Sequence, residues 1–229
     1  MRRNKAWFFK NLPLFEGVQT APLERFLAQV EPQDWLKKRM VWSPGDPSEH
    51  VFFIRSGVVK TSKISDEGRE LTLQFYTRND IFGEMAIFSP GDHSTHAEAY
   101  EDSSLFVAHR DAFLQLLRAQ PEIALSVTRV ISERRERLEA RVGRLLFKTA
   151  HARLASLFLD LVRDFGVRDS RGTIVNLKLT HKEMASLIGA TRETVSFAIL
   201  DLRKEGLIVT EAKRVIIVDE DALAALMDK

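Results

Sequence analysis

Residues 179–206, LTHKEMASLIGATRETVSFAILDLRKEG, decide the architecture of the C-terminal part of this chain. Apolar residues recur three and four positions apart on both sides of Gly189, which is the spacing of two short amphipathic helices. Thr180 and Glu183 form a capping box for the first helix, and Thr191 can cap the second. Gly189 offers the backbone freedom that a tight turn requires. The pattern predicts a helix-turn-helix, although an ordinary helical hairpin with solvated charges would have the same spacing.

The exposed start of the second predicted helix carries side chains suited to base recognition. Arg192 can donate two hydrogen bonds to guanine, and Glu193 can accept one from cytosine. Hydroxyl and lysine side chains around them are candidates for phosphate contacts. We therefore predict binding to double-stranded DNA. The full set of predicted DNA-binding residues is Thr180, Lys182, Thr191, Arg192, Glu193, Thr194, Ser196, Phe197 and Lys213.

The N-terminal half has a different periodicity. Residues 1–33 contain short helical pieces interrupted by prolines, and from Trp35 onward short β-branched and aromatic runs are separated by turn clusters. Residues 71–76 alternate, which predicts a strand whose buried face contains Leu71, Leu73 and Phe75. About eight such strands predict a small antiparallel β-roll or jelly roll. The fold class is therefore α+β.

A long helix is predicted from Pro121 to about Lys148. Its apolar residues at spacings of three, four and seven predict a seam for a partner helix and hence a homodimer; these are Val127, Ile131, Leu138, Val142 and Leu145. The alternative is an amphipathic helix packed on its own domain. After the helix-turn-helix, residues 207–209 and 215–218 read as the wing of a winged helix. The predicted domains are a β-roll at 1–120, a dimerisation helix at 121–148 and a winged helix-turn-helix at 149–229.

Composition narrows the functional classes. The chain has 229 residues and no cysteine, which rules out disulfides and cysteine-ligated clusters. No apolar run is long enough for a membrane span, and the basic N-terminus lacks the features of a signal peptide, so we expect a cytoplasmic protein. We find no nucleotide-binding Gly-rich loop, no nucleophile elbow and no zinc-protease motif, and we therefore expect no enzymatic activity.

Several motifs together resemble the cyclic AMP receptor protein/FNR (Crp/Fnr) family of bacterial transcription regulators. They are Thr-Arg-Glu-Thr-Val at 191–195, Pro-Gly-Asp at 44–46, Phe-Ile-Arg-Ser-Gly at 53–57 and Gly-Glu-Met-Ala at 83–86. The resemblance implies a cyclic-nucleotide-binding-like β-roll, a dimerisation helix, and half-site recognition through Arg192 and Glu193. The family's third base-reading residue, usually arginine, falls at Phe197, which can contact a thymine methyl group instead.

The resemblance also implies an effector pocket, formed by Gly83, Glu84, Met85, His93, Ser94, Arg134 and Leu138. If the loop before His93 is one residue shorter than in the family, His93 takes the position of the family's arginine that neutralises the cyclic phosphate. Leu138 takes the position of the family's threonine that faces the adenine. A neutral imidazole is a poor phosphate partner. These departures argue against cyclic AMP but leave it open, and they leave an unidentified effector or no effector equally open. His93, His96 and His109 are a weak signal for haem or a metal, so we predict no required cofactor and no metal site.

The preferred hypothesis is a homodimeric transcription regulator that binds a palindromic operator. Its expected partners are DNA, a second copy of the chain and RNA polymerase. Its activity is expected not to require cyclic AMP. The alternative is a cyclic-nucleotide-responsive sensor whose C-terminal domain binds protein. Specific retention on DNA would separate these two hypotheses.

Overall fold

The computed structural model describes residues 2–89 and 91–228, which form two compact units. The N-terminal unit contains the chain up to Lys63 together with Leu73–Arg135. The C-terminal unit contains Ile64–Thr72 and the chain from Glu136 onward. The predicted domain limits at residues 120 and 148 stay predictions, because the division of the two units falls inside the long helix.

Helices of the N-terminal unit cover one face of its β-structure. Leu23, Phe26, Leu27 and Val30 are buried, as the helical spacing of that segment predicts. A short 3-10 turn spans Pro13–Phe15. The helices are α1 (Arg2–Lys10), α2 (Thr20–Ala28), α3 (Met85–Phe88) and α4 (Arg110–Ala119).

Eight strands form two four-stranded sheets, which confirms the predicted β-roll. The strand orders are β1-β8-β3-β6 and β2-β7-β4-β5. The prediction that residues up to 33 are helical is wrong at its end, because the first strand already begins at Glu31. That strand contains Pro32, which is tolerated since β1 lies at a sheet edge. The strands are β1 (Glu31–Trp35), β2 (Met40–Trp42), β3 (His50–Ser56), β4 (Val59–Ile64), β5 (Glu70–Tyr76), β6 (Ile81–Phe82), β7 (His96–Ala99) and β8 (Ser103–His109).

Strand β3 is buried on both faces and lies at the centre of the N-terminal unit. Phe52 and Ile54 pack between the two sheets, in a cluster that contains Trp42. Phe53 points to the other face and packs under the helices. There the ring of Phe9 lies 4.9 Å from that of Phe53 and 5.4 Å from that of Phe106, between centroids.

Strand β5 departs from its predicted burial pattern. Leu71 is 36% exposed, whereas Thr72 is only 1% exposed. Thr72 is buried because its backbone N–H and its hydroxyl both contact the Ser186 hydroxyl within the C-terminal unit, at 2.8 and 3.0 Å. Alternation alone could not predict that contact.

The long helix α5 (Pro121–Phe147) begins as predicted. The prediction that Val127 faces a partner helix is wrong, because this residue is fully buried in the core of the N-terminal unit. Ile131 also packs against that core. Leu138, Val142 and Leu146, each four residues apart, are 50%, 47% and 71% exposed. These regularly spaced exposed apolar residues lie in the C-terminal half of α5, whereas the exposed Leu125 lies in its N-terminal half.

The rest of the C-terminal unit is a winged helix-turn-helix with a four-stranded sheet in the order β11-β12-β10-β9. The polar sequence of residues 166–172 predicts a loop, but the structure places strand β9 there, and β9 pairs with β10 through a tight turn. Asp169 stabilises that turn by accepting from the Arg171 N–H at 3.1 Å. The elements are α6 (Ala150–Phe165), β9 (Gly166–Asp169), β10 (Gly172–Val175), α7 (His181–Ile188), α8 (Arg192–Lys204), β11 (Ile208–Glu211), β12 (Arg214–Ile217) and α9 (Glu220–Ala225), and a 3-10 turn, Leu226–Asp228, follows.

Candidate nucleic-acid interface and effector pocket

Local hydrogen bonds define the ends of both helices of the helix-turn-helix. The Thr180 hydroxyl accepts from the Glu183 N–H at 3.2 Å, and the Glu183 carboxylate accepts from the Thr180 N–H at 2.6 Å, which completes the predicted capping box. Gly189 ends α7 with a φ of 60°. Thr191 caps α8 by accepting from the Thr194 N–H at 3.1 Å. The turn is therefore specified by side chains that lie within it.

The recognition helix α8 buries one side and exposes the predicted base-reading side. Its buried residues are Val195, Ala198, Ile199 and Leu202. Arg192 and Glu193 are exposed in the first turn, and Phe197 is 68% exposed one turn later. Across residues 2–89 and 91–228, neither the Arg192 nor the Glu193 side chain has a hydrogen-bond or ion-pair partner. Both side chains are thus available to an external ligand.

A groove of about 670 Å³ lies between the starts of α7 and α8 and the β11–β12 hairpin, which is the wing. The groove is lined by four basic side chains, Lys182, Arg192, Lys213 and Arg214. Glu211 is the acidic residue of its lining. A concave surface whose charged side chains are mainly basic, beside an exposed helix start, suits a polyanionic backbone. Arg214 was not among the predicted residues.

The wing tip has an unusual backbone for its sequence. Ala212 and Lys213 have φ values of 48° and 66°, as the two central residues of a type I′ turn require. Such turns favour Asn-Gly, so the Ala-Lys sequence gives no local signal for the conformation. The Lys213 carbonyl accepts from the Leu179 N–H at 3.1 Å, which ties the tip to the residue before the helix-turn-helix.

Several predicted phosphate-binding hydroxyls already have partners inside the protein. Thr180 is engaged in the capping box, and the Thr191 and Thr194 hydroxyls lie 2.9 Å apart. The Ser196 hydroxyl donates to the Arg192 carbonyl at 2.9 Å and lies 2.7 Å from His181 Nδ1. Because the only proton of that hydroxyl is used, Nδ1 of His181 is the donor. Sequence analysis missed His181, since its partner is fifteen positions away.

In the N-terminal unit, Glu84 and Arg134 of the predicted effector pocket form an ion pair. Glu84 is only 7% exposed, and Arg134 Nη1 lies 2.9 Å from its carboxylate. Arg134 Nη2 also donates to the Ile81 carbonyl at 2.6 Å, and the guanidinium lies 5.0 Å from the Tyr76 ring centroid. Burial raises the pKa of Tyr76 to about 12, so its hydroxyl is protonated at neutral pH. The Glu84 carboxylate of the predicted effector pocket is therefore already partnered.

Gly83 has no room for a side chain. Its φ is 74°, and a Cβ atom there would lie 2.8 Å from the His50 carbonyl oxygen. Met85, another residue of the predicted effector pocket, is 53% exposed. The positive φ of Gly83 thus belongs to the turn that places the buried Glu84 carboxylate.

His93 packs on an aromatic ring. Its imidazole stacks on Trp42 with ring centroids 4.1 Å apart and an interplanar angle of 8°. Burial lowers the pKa of His93, which keeps the ring neutral at pH 7. Ser94 beside it is exposed. Leu138, the last predicted pocket residue, belongs to the C-terminal unit, and its pocket role stays a prediction.

His96 and His109, the other two histidines of the weak metal signal, have different positions and roles in the structure. His109 caps α4 by accepting from the Asp111 N–H at 3.2 Å, and His96 lies on β7. In the part of the chain that the structure describes, no group of three or more histidine or carboxylate side chains is placed to hold a metal ion. No helix of that part is both long enough and apolar enough to cross a membrane.

Comparison with known proteins places this architecture. The model of the cyclic nucleotide-binding domain matches residues 32–120, and that of the Crp-like helix-turn-helix domain matches residues 152–226. A CRP-like cAMP-activated global transcriptional regulator from Mycobacterium tuberculosis is 32% identical over 211 residues, which cover 92% of this chain and 94% of that protein. The chain belongs to the Crp/Fnr family of transcription regulators.

Other members of the Crp/Fnr family show the same extent of similarity. A global nitrogen regulator from Synechococcus elongatus is 32% identical and aligns over 93% of this chain and 95% of its own length. A mutant of CooA from Carboxydothermus hydrogenoformans shares the fold with a TM-score of 0.76, at 24% identity and 95% coverage of each chain. The predicted family, fold class and DNA-binding regulatory function are thus confirmed.

Proposed function

We propose that this Crp/Fnr regulator is a homodimer that recognises a palindromic operator through Arg192, Glu193 and Phe197 and that needs no cyclic AMP to do so. The assignment of individual residues to bases and phosphates, the dimer and the independence from a nucleotide are all part of the proposal. The protein would act in the cytoplasm and contact RNA polymerase there, as the family resemblance implies.

The uncommitted Arg192-Glu193 pair at the exposed start of α8 carries this proposal. Arginine can donate to both O6 and N7 of guanine, and glutamate can accept from N4 of cytosine. The basic side chains of the groove, Lys182, Lys213 and Arg214, are suited to the flanking phosphates. Ser196 has an indirect role in this scheme, because its hydroxyl is bonded to Arg192 and His181.

The ion pair between Glu84 and Arg134 supports activity without cyclic AMP. A nucleotide that used the Glu84 carboxylate would have to compete with a guanidinium 2.9 Å away. His93, stacked on Trp42 and neutral, offers no charge to a cyclic phosphate. The relatives give no common effector either, since one is named for cyclic AMP activation and another for nitrogen regulation.

The exposed stripe Leu138, Val142 and Leu146 supports the dimer. Three exposed apolar side chains on one face of a helix lose contact with water when they pack against a second copy. A dimer also meets the geometric demand of a palindromic site, whose half-sites lie about 34 Å apart.

Selection from a randomised duplex pool tests the proposal. The purified chain is used at a stated salt concentration, with and without cyclic AMP, and an Arg192→Ala, Glu193→Ala double variant is run beside it. A palindromic site recovered without nucleotide, and lost in the double variant, is the expected result. Recovery only with cyclic AMP would contradict nucleotide independence. A chain that enriches no site in either arm would contradict the proposed DNA recognition and favour protein binding by the C-terminal domain.

A further inference from the structure

A small cavity of about 30 Å³ lies inside the C-terminal unit, between α5, α6 and the end of α7. Its polar lining consists of three arginines and one aspartate, and its apolar lining comes from leucine and isoleucine side chains. The polar residues are Arg141, Arg144, Arg153 and Asp160. The wall of the cavity thus carries three positive charges and one negative charge.

The single carboxylate of the cavity is shared. Asp160 Oδ2 lies 3.0 Å from Arg144 Nη2, while Asp160 Oδ1 lies 2.7 Å from Nη2 of Arg163, outside the lining. Its charge is therefore divided between two guanidinium groups. Burial is the main cause that lowers the pKa of Arg141; Arg144 lowers it further, and Asp160 acts in the opposite direction.

Arg153 has a buried donor with no acceptor. Its Nη1 donates to the Gly189 carbonyl at 3.3 Å, but its Nε is buried and has no hydrogen-bond partner within the described part of the chain. A buried donor on a charged group is costly to leave unpaired, and such a group in a native protein requires an explanation. Arg153 also lines the cavity, which has room for an acceptor.

We infer that this cavity binds a small monovalent inorganic anion of the size of chloride, held by Arg153 Nε and the neighbouring guanidinium groups. The volume suits one compact ion, since a single water needs roughly 10–15 Å³ measured in the same way. An anion provides the acceptor for Arg153 and offsets the excess positive charge. A water molecule would provide only the acceptor.

The position of the site links it to the helix-turn-helix. Arg141 donates to the Leu187 carbonyl, and Arg153 donates to that of Gly189, so both guanidinium groups hold the end of α7. Arg141 also donates to the Thr72 carbonyl at 2.7 Å. A bound anion would therefore stabilise the segment that precedes the recognition helix. This inference does not depend on the proposed operator or effector.

Thermal unfolding at constant ionic strength tests the site, with methanesulfonate replaced stepwise by chloride. Methanesulfonate is too large for the cavity, so we expect Tm to rise with the logarithm of the chloride concentration above the Kd, by about 3–5 °C at tenfold excess over the Kd. Arg153→Lys, which keeps the charge but removes Nε, should abolish the rise. Arg163→Lys is the matched control on the same helix and should retain it. An equal response of all three proteins would overturn the inference.

Crystals of the unaltered chain grown in bromide give a second test that does not depend on a variant folding. An anomalous bromide peak within hydrogen-bond distance of Arg153 Nε is expected. A water molecule at that position, with no anomalous signal, would overturn the inference.

Discussion

At the scale of single residues, the N-terminal turn of α8 carries Arg192 and Glu193, which we propose distinguish one DNA sequence from another. Replacing Arg192 with alanine should cost about 1–3 kcal/mol on the preferred operator and relax the preference at one base pair. The reason is the loss of two hydrogen bonds to a guanine edge. Titrations against the operator and its single-base variants measure both effects.

Lys213→Ala is the control for the Arg192 variant, because a phosphate contact carries no base information. It should weaken binding to every sequence about equally and reduce the salt dependence. If Arg192→Ala behaves in the same way, Arg192 contacts phosphate and not a base.

Phe197 makes a separate prediction about thymine. A contact between its ring and the C5 methyl group would be lost when that thymine is replaced by uracil, at a cost of about 0.8 kcal/mol for one buried methyl group. The wild-type protein should distinguish the two duplexes, and Phe197→Ala should not. Equal discrimination by both proteins would assign the methyl contact to another residue.

His93 should make the N-terminal unit sensitive to acid. Burial lowers its pKa in the folded protein, so below about pH 6.5 the unfolded chain binds the proton more readily. Stability is therefore retained at neutral pH and lost as the pH falls toward the folded pKa. Urea unfolding of the wild type and of His93→Gln at several pH values should give a flatter profile for the variant. Parallel profiles would argue against this assignment.

Residue-scale predictions from sequence succeeded where the interaction is local. The caps formed by Thr180 and Thr191 depend on residues three positions apart, and the structure has both. The His181–Ser196 contact and the Glu84–Arg134 ion pair join residues 15 and 50 positions apart. Their existence depends on how helices and strands pack, which no local pattern encodes.

At the scale of elements, the wing is held in a turn that its residues do not favour. Ala212 has a φ of 48°, a left-handed conformation that glycine adopts readily and that is strained for a residue with a Cβ atom. Ala212→Gly should therefore raise the free energy of unfolding by about 0.5–1 kcal/mol. Chemical denaturation measures the change.

The same substitution within a helix provides the control for Ala212. Ala140 is exposed in the middle of α5, where glycine should lower the free energy of unfolding by about 1 kcal/mol. Opposite signs for the two variants are expected. Destabilisation by both would show that the wing turn is not strained by alanine.

Element predictions failed where a strand was short and polar. Strand β9 has four residues and little apolar character, and it exists because Asp169 and Gly172 allow a tight turn onto β10. The predicted helical part extends to residue 33 and so places the start of β1 too late, because an edge strand accepts Pro32. The number and order of the strong strands were predictable because turn clusters separate them.

At the scale of the whole molecule, the proposed dimer would depend on the stripe Leu138, Val142 and Leu146. Leu138→Asp would place an unpaired charge in an apolar interface, which costs several kcal/mol and should shift the dimer to monomer. Sedimentation measures the shift, and operator binding should fall with it. Ala140→Asp adds the same charge on another face of α5 and should leave the dimer intact. A dimer that survives Leu138→Asp would place the interface elsewhere.

The overall architecture was predictable because α5 has a sharp start at Pro121 and a clear heptad-like pattern. It was less predictable which apolar residues of α5 pack in the N-terminal core and which stay exposed. Val127 fits the partner seam in sequence, yet it is fully buried in the N-terminal core. A periodic pattern defines the apolar face of a helix, but the neighbouring elements decide which part of that face is covered.

The aromatic cluster around Phe9 has a consequence for synthesis on the ribosome. Phe9 packs against Phe53 and Phe106, so its burial requires β8, which is made about 100 residues later. At translation rates of about 5–20 residues per second, the nascent chain carries this phenylalanine without its Phe106 contact for about 5–20 seconds. During that time the N-terminal helix is a natural ligand for chaperones that bind aromatic segments. The aromatic cluster around Phe9 is thus complete only after β8 has been made.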